Sequence, residues 1–451
     1  MTMKRRNLTT VLPVLCIACG ARSDLYLQAP PRDASIAEDA APDGAAPDAP
    51  IPEDASVIPT GCTSALEPGS PAPITGYCST QAHVAPTRVP SSPKATWAIQ
   101  LDADTSPSEM VIDRDGRIYV ASCRAEEGWV TCKQIVSLLP DGAIAWSKTF
   151  DGHVRGLYLD TVGTLHAEFG NPRTLVAVDP AGAVTQLGQL PENVWYEWVG
   201  SDGSLYGSSI DYGGTQPDRL VKMTPTGDVL WSTLLPCSKC IATTALSPDD
   251  EMVAGILSAE DGGLEGSIVR LDTEGNVQWT LELPGFPAEP IAIASDGSVR
   301  IALWLNYQQP NSSLALASVD PTGEITWLVD TQQDPQQTSQ HALVVLNDGT
   351  TVFRSFTHLN AVDGDGNVLW SNELSCPNCT YSAGADPDGG LVVLAPDIEG
   401  LDAKTGTVLW SGIEPLQDGS TFYFGSMMVL GPPGVVCGAT YGGVVFAASD
   451  G

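Results

Sequence analysis

Apolar and polar residues alternate in short runs along most of the chain beyond residue 93. Alternation with a period of two is typical of a β-strand that buries one face. The runs end at turns rich in Asp, Gly, Pro or Thr, and the 3.6-residue period of an amphipathic helix is rare outside the first 20 residues. The pattern therefore predicts an all-β protein of many short strands joined by tight turns.

One of these runs recurs as a phrase in which a turn glycine is followed four positions later by tryptophan. Six copies occur, with glycine and tryptophan at positions 142 and 146, 227 and 231, 275 and 279, 323 and 327, 366 and 370, and 406 and 410. A seventh copy keeps the turn at Gly182 but has Gln186 in place of tryptophan. Successive copies lie 40–48 residues apart, which is typical of the four-stranded blades of a β-propeller.

A second phrase, a turn followed by alternating apolar residues, marks the second strand of each blade and occurs eight times. The chain stops after the eighth third strand, so the eighth blade lacks an outer strand. No other strand of a blade precedes the strand around Trp97 in the sequence. This strand can therefore supply the missing outer strand of the eighth blade, which leaves no open sheet edge. We therefore predict an eight-bladed β-propeller of four-stranded antiparallel blades over residues 94–451, with the ring closed by this N-terminal strand. A seven-bladed ring would require the blade of Gly182 to be discounted.

The first 20 residues carry a targeting pattern. Lys4, Arg5 and Arg6 precede an apolar stretch that is too short to span a bilayer, and this stretch ends in Leu-Cys-Ile-Ala-Cys19-Gly20. The ending resembles the lipobox of bacterial lipoproteins. The resemblance implies that residues 1–18 are a signal peptide, that Cys19 is lipidated, and that Gly20 after the cysteine favours sorting to the outer membrane. A plain secretory signal peptide is the alternative.

The chain between the signal and the propeller falls into two parts. Residues 19–60 are rich in Ala, Pro and Asp, and the run from Pro31 to Pro50 carries almost no large apolar side chains. Such a segment cannot bury enough surface to fold, and its prolines and like charges keep it extended. We predict a disordered tether here, followed by a small pre-propeller segment over residues 61–93.

The phrase Asp-Ala-Lys-Thr-Gly406-Thr-Val-Leu-Trp410 resembles the tryptophan-docking repeat of quinoprotein dehydrogenases and of their non-enzymatic relatives, the PQQ-like propellers. The resemblance covers about residues 94–451 and implies an eight-bladed ring. It also implies that the repeat tryptophans are packing residues wedged between neighbouring blades, namely Trp97, Trp146, Trp231, Trp279, Trp327, Trp370 and Trp410.

Cofactor binding is not expected. Quinoprotein enzymes place a vicinal Cys-Cys disulfide over the quinone and bind calcium through Glu, Asn and Asp, but this chain has no adjacent cysteines and no matching ligand motif. The turns at Asp272 and Asp363 resemble part of a calcium loop without the glutamate that completes it, so calcium at these turns stays an alternative. The histidines are scattered and no hydrolase or metalloprotease motif occurs. We therefore expect that the protein is not an enzyme and has no metal site.

The cysteines beyond the signal come in close pairs, which indicates disulfides in an exported protein. The predicted pairs are Cys62 with Cys78, Cys123 with Cys132, Cys237 with Cys240, and Cys376 with Cys379, and Cys437 is left as a buried free thiol. The two Cys-x-x-Cys pairs lie in the same loop of two blades. A thiol-redox or metal-binding role for these loops is an alternative to stiffening, although four sulfurs would have to meet for zinc.

Charge and loop length indicate the kind of partner. The formal net charge of −33 repels phosphate backbones and anionic lipid, so we exclude nucleic acid and expect membrane contact only through the lipid anchor. Long loops are predicted at 122–133, 208–218, 257–266 and 303–313, all on one face, with Trp129, Trp304 and Tyr307 as candidate partner anchors or loop-packing residues.

The leading prediction is a non-enzymatic outer-membrane lipoprotein, facing the periplasm or the cell surface, that binds an envelope protein or surface component through its loop-rich face. An enzyme acting on sugars or alcohols through acids that converge at the channel is an alternative. It would be favoured by several inward-facing carboxylates with raised pKa in one pocket.

Overall fold

The structure is a computed structural model of the chain. It describes residues 66–67, 70, 72, 74, 84–85, 87–101, 105–126, 129–170, 172–209, 218–235, 237, 240–258, 265–306, 312–331, 343–355, 357–374, 382–394, 398–413, 427–432, 434–439 and 444–450. The predicted signal peptide, Cys19 and the tether lie outside these residues. No segment within these ranges is a helix long and apolar enough to cross a membrane.

The regular structure in these ranges consists of eight four-stranded antiparallel sheets, which are the blades of a propeller. Blade 1 contains β2 (Thr105–Ile112), β3 (Ile118–Glu126), β4 (Trp129–Leu138) and β5 (Ile144–Thr149), and blade 2 contains β6 (Val154–Leu159), β7 (Leu165–Phe169), β8 (Thr174–Val178) and β9 (Val184–Gln189). Blade 3 contains β10 (Val194–Val199), β11 (Leu205–Ser209), β12 (Arg219–Met223) and β13 (Val229–Leu234), and blade 4 contains β14 (Cys240–Leu246), β15 (Met252–Ser258), β16 (Glu265–Leu271) and β17 (Val277–Glu282).

Blade 5 contains β18 (Phe286–Ile293), β19 (Val299–Leu305), β20 (Ser313–Val319) and β21 (Ile325–Asp330), and blade 6 contains β22 (Leu343–Val345), β23 (Thr351–Arg354), β24 (His358–Val362) and β25 (Val368–Glu373). Blade 7 contains β26 (Ser382–Ala385), β27 (Gly390–Leu394), β28 (Ile398–Asp402) and β29 (Val408–Ser411), and blade 8 contains β30 (Met427–Leu430), β31 (Val435–Ala439), β32 (Val444–Asp450) and β1 (Pro93–Gln100).

The N-terminal strand closes the ring as predicted. β1 is the outer strand of blade 8 and pairs with β32 from Pro93 opposite Asp450 to Gln100 opposite Val444. The Asp450 carboxylate also accepts hydrogen bonds from the amides of Ser91 and Ser92, each at 2.7 Å. The blade of Gly182 is a complete sheet, β6–β9, so the ring has eight blades and not seven.

The glycine and tryptophan of the repeat meet across the seams between blades. Six repeat tryptophans donate their indole N–H to a carbonyl of the next blade at 2.7–3.1 Å, with acceptors Pro140, Pro180, Thr273, Pro321, Gly364 and Ala403 in ring order from Trp97. The seventh, Trp410, donates to the carbonyl of Pro90, just before β1, at 2.6 Å. At the first six seams the turn glycine of the next blade lies under the indole ring. At Gly366, where φ is +88°, a Cβ would lie 2.7 Å from the ring of Trp327.

The seam after blade 2 has no tryptophan and is built from closer backbones instead. A Cβ on Gly188 of β9 would lie 1.8 Å from the carbonyl oxygen of Thr226, and a Cβ on Gly227 would lie 2.4 Å from that of Gln189. Glycine at both positions lets the two blades approach where no indole separates them. The two blades are therefore in direct backbone contact at the copy whose tryptophan is missing.

The described part of the segment before β1 packs against the propeller. Leu66 bridges to Asp160, Ala72 to Ile112, Ile74 to Tyr158 and Val84 to Ala385, which are residues at the ends of the innermost strands of blades 2, 1 and 7. These contacts are buried, with Leu66, Ala72, Ile74, Val84 and Ala85 each at most 6% exposed. We call residues 66–90 the strap.

One predicted loop is wrong. We expected a long loop at 122–133, but β3 and β4 continue through most of it as a hairpin in which Cys123 lies opposite Cys132. Serine, threonine, cysteine and valine in this stretch favour strand, and the cross-strand cysteines extend the pairing beyond the apolar core.

Candidate functional site

The two faces of the propeller differ. Turns from first to second and from third to fourth strands are short, and they share one face, which we call the short-turn face. The strap lies along this face, since its partners Ile112, Asp160 and Ala385 are at the ends of first strands or in the turn that follows. Connections from second to third strands and between blades share the opposite, loop-rich face.

A pocket of about 520 Å³ opens between blades 2 and 3 at the loop-rich face. Its walls come from the start of β6, the β7–β8 turn and the connection from β9 to β10. We call it the blade 2–3 pocket, and its lining residues are His153, Arg155, Glu168, Phe169, Gly170, Pro172, Arg173, Leu190, Pro191, Glu192, Asn193 and Trp195. It lies at the seam that lacks a docking tryptophan.

A buried ion pair forms one wall of the pocket. Glu168 on β7 accepts a hydrogen bond from Arg173 at 2.7 Å through Oε1, and the guanidinium of Arg173 stacks over the ring of Trp195 at 4.2 Å. Glu168 is 3% exposed, and its Oε2 has no hydrogen-bond partner among the described residues. Burial raises the pKa of Glu168 to about 7, although Arg173 and Arg155 lower it.

Arg155 and His153 add donors to the same pocket. Arg155 on β6 lies opposite Glu168 on β7, and within the described ranges its side chain makes no salt bridge or hydrogen bond. The amide of Cys132 donates to Nδ1 of His153 at 3.0 Å. Burial and the two arginines lower the pKa of His153 to about 4, so the ring is neutral at pH 7 with its proton on Nε2.

A second carboxylate lies beside the pocket on the innermost strand of blade 1. The amide of Leu157 donates to Glu109 at 2.8 Å, and burial raises the pKa of Glu109, although Arg155 lowers it. The hydroxyl of Tyr196 donates to the carbonyl of Gly156. β2, β6 and β10 each carry a bulge at this level, and a bulge re-aims side chains that regular pairing would point into a blade.

This arrangement can bind a ligand that carries both a negative charge and hydrogen-bond donors. Arginine offers a planar fork of N–H donors to an anion, and an unpaired buried carboxylate oxygen requires a donor. The raised pKa of about 7 also makes Glu168 able to hold or release a proton near neutral pH.

The structure places the predicted partner anchors elsewhere. Trp304 is 7% exposed and stacks on Phe286 with ring centroids 6.0 Å apart, so most of its ring is used in packing within blade 5. Trp129 begins β4, where only the backbone is described. Tyr307 lies outside the described residues.

The cysteines and acidic turns can be placed in part. Cys123 is joined to Cys132 and Cys237 to Cys240, and Cys437 is a buried free thiol. Cys62, Cys78, Cys376 and Cys379 lie outside the described residues. The carboxylates of Asp272 and Asp363 accept hydrogen bonds from their own turns. No group of three or more metal-ligating side chains occurs in the described parts of the chain.

Sequence reasoning did not identify Arg155, Glu168 and Arg173. The available signal was their position, because Arg155 is the one charged residue of Val154–Leu159 and Glu168 stands in Leu165–Phe169, where the other residues apart from His166 are apolar. Single charged residues in such strands are costly to bury unless they are paired or bind something.

Comparison with known proteins agrees with the repeat. Residues 310–448, which span the last three blades and the end of the fifth, match the family described as outer membrane protein assembly factor BamB. The predicted PQQ-like propeller is confirmed. A search of curated protein sequences gives no match.

Several solved structures are similar to this propeller at low sequence identity. BamB from Moraxella catarrhalis is 16% identical over 79% of this chain and 97% of that chain, with a TM-score of 0.45. Sqt1 from Chaetomium thermophilum is 12% identical over 79% and 99%, with a TM-score of 0.52. Virginiamycin B lyase from Staphylococcus aureus is 13% identical over 79% and 99%, with a TM-score of 0.43.

Proposed function

We propose that this protein is a non-enzymatic binding scaffold of the bacterial cell envelope that holds a protein partner on its loop-rich face. The observation that carries the proposal is the asymmetry of the ring. The strap covers ends of innermost strands on the short-turn face, whereas the open pocket lies on the loop-rich face. The match of residues 310–448 to an outer membrane protein assembly factor supports an envelope role.

The properties of the loop-rich face fit a binding surface. Its connections are held by a rigid ring and by the Cys123–Cys132 and Cys237–Cys240 bonds, so a partner meets loops whose conformational entropy is already reduced. The anchoring of the chain through a lipid at Cys19 is part of the same proposal and would hold this surface at the membrane.

Cross-linking in intact cells, followed by purification and mass spectrometry, tests the scaffold proposal. We expect a stoichiometric envelope protein with the wild-type chain. The double substitution Asp151→Arg with Glu192→Arg, on exposed rims of the loop-rich face, should reduce its recovery. The matched control is Asp115→Arg with Glu324→Arg, which reverses two exposed charges on the short-turn face and should leave recovery unchanged. Equal loss with both pairs, or no partner at all, would contradict the proposal.

An enzyme is the second candidate, and one specific observation favours it. Glu168 and Glu109 both have raised pKa values beside one pocket, and the charge of Glu109 contributes to raising the pKa of Glu168. Paired carboxyl groups in different protonation states can act as general acid and base. Turnover of a panel of glycosides and sugar lactones that is abolished by Glu168→Gln would support this candidate, and turnover unaffected by that substitution would remove it.

A further inference from the structure

Three side chains of the blade 2–3 pocket, Arg155, His153 and Glu168, each have a donor or acceptor that makes no hydrogen bond within the described part of the chain. Arg155 makes no salt bridge or hydrogen bond with any side chain or backbone group that the structure describes. His153 uses Nδ1 to accept from Cys132, which leaves its Nε2–H as a donor. Glu168 uses Oε1 for Arg173, which leaves Oε2 as a buried acceptor.

These groups specify a ligand by their charge and by whether each one donates or accepts a hydrogen bond. Two donors, one of them a permanent cation, favour an anionic group with two oxygens, because the guanidinium fork matches a carboxylate. The remaining acceptor on Glu168 favours an N–H or O–H close to that carboxylate. The final residue of a polypeptide has this arrangement, since its amide N–H is two bonds from its terminal carboxyl carbon.

The setting also limits the size and the charge of the ligand. A volume of about 520 Å³ lies in the range of small-ligand pockets, so it accommodates the end of a chain and excludes a folded domain. The formal net charge of −33 repels polyanions, whereas a single carboxylate beside Arg155 and Arg173 is locally compensated.

We propose that the blade 2–3 pocket captures the C-terminal carboxylate of a polypeptide, with Arg155 and His153 Nε2–H donating to the carboxylate and Glu168 Oε2 accepting from the last amide N–H. This proposal rests on the proposed scaffold function and names the part of the partner that the pocket would hold. Arg173 acts as a positioning residue, because its ion pair and its stacking on Trp195 fix the orientation of Glu168.

Fluorescently labelled tetrapeptide pools test the proposal with the full mature chain. Twenty pools, each with a different last residue, are prepared both as free acids and as C-terminal amides, and binding is followed by fluorescence polarisation. We expect at least one free-acid pool to bind and its amide to bind at least about tenfold more weakly. Equal binding of acid and amide would overturn the proposal.

Substitutions locate the binding within the molecule. Arg155→Gln should weaken binding of the free-acid pool by at least about tenfold, and Arg155→Lys should give an intermediate loss because it keeps the charge but not the fork. Arg219→Gln is the control and should bind as wild type, because within the described residues the Arg219 side chain bonds Ser232 on the outer strand of blade 3, away from the pocket. Unchanged binding in both Arg155 variants would contradict the assignment.

Three further outcomes separate this proposal from the scaffold function and from a different ligand. If the cellular partner is recovered through the loop-rich face but no free-acid pool binds, the carboxylate proposal fails and the scaffold stands. If glucuronate binds the pocket while every peptide pool fails, the ligand is a sugar acid and the peptide proposal is wrong. If pools bind but no cellular partner is recovered, the scaffold proposal fails by itself.

Discussion

At the residue scale, the contact between an indole ring and a turn glycine explains the repeat. The glycine and the tryptophan of one phrase belong to the same blade, but they contact different neighbouring blades. The glycine packs under the indole ring of the preceding blade, and the tryptophan contacts the following blade. The four-residue offset between them is kept because both contacts depend on it. Trp327, for example, packs on Gly366 and donates to the carbonyl of Gly364 at 2.8 Å. A propeller seam is thus stabilised by side-chain packing and by one hydrogen bond, which is buried at Trp370 and exposed at Trp327.

Gly366→Ala tests this contact. The alanine would have to adopt φ +88°, and its Cβ would lie 2.7 Å from the ring of Trp327. We therefore expect a loss of about 3 kcal/mol in the free energy of unfolding, from backbone strain and overpacking together. Gly412→Ala is the matched control, because Gly412 has φ +77° but no atom near its Cβ position, and it should cost only about 1 kcal/mol. Equal losses in denaturant unfolding would show that indole packing contributes little.

The free thiol of Cys437 gives a second prediction. It is 2% exposed on β31, and burial raises its pKa to about 12. Because the thiolate is the reactive form, iodoacetamide at pH 8 should leave Cys437 unmodified in the native protein and modify it fully in denaturant, as measured by peptide mass spectrometry. Rapid modification without denaturant would contradict the burial.

At the scale of elements, the strap binds the chain before β1 to blades 1, 2 and 7. Glu67 in the strap is buried, accepts a hydrogen bond from the amide of Arg114 at 3.2 Å and lies beside Asp113. Burial and the nearby Asp113 raise the pKa of Glu67 to about 7. The folded state therefore prefers the protonated side chain, so the strap is held best below the unfolded pKa and loses stability as pH rises through 7.

Glu67→Gln tests the strap, because glutamine keeps the shape without the charge. Between pH 5 and pH 8 we expect the wild type to lose about 1–2 kcal/mol of unfolding free energy through Glu67, after allowance for solvent screening. The variant should lack this part of the pH dependence. Glu192→Gln, on the exposed rim, should retain it. The same pH dependence in Glu67→Gln and wild type would mean that another group is responsible.

The elements also show how far the sequence could be interpreted. Alternation and the repeat predict the strands, the eight blades and the role of Trp97, because each depends on short-range periodicity. The length of β3 and β4 was not obtained because their pairing continues through Cys123 and Cys132, beyond the stretch in which apolar and polar residues alternate. The course of the strap could not be obtained because it depends on contacts between distant residues such as Ala72 and Ile112. The blade 2–3 pocket was missed for the same reason: Arg155, Glu168, Arg173 and Trp195 come together only when two blades pack.

At the scale of the whole molecule, closure by β1 makes the N-terminal segment part of the fold. A chain that begins at residue 61 keeps the strap and β1, and we expect it to be monomeric with one cooperative unfolding transition. A chain that begins at residue 102 leaves the edge of β32 unpaired and should aggregate or unfold at lower temperature. Size-exclusion chromatography and calorimetry compare the two, and identical behaviour would contradict closure by β1.

The difference between the two faces is the central claim about function, and site-specific photo-cross-linking in cells tests it most directly. A photo-reactive residue at position 192 lies on the rim of the blade 2–3 pocket, and one at position 115 lies on the short-turn face. We predict one discrete cross-linked envelope protein from position 192 and none from position 115. The same partner captured equally from both positions, or only from position 115, would contradict the account.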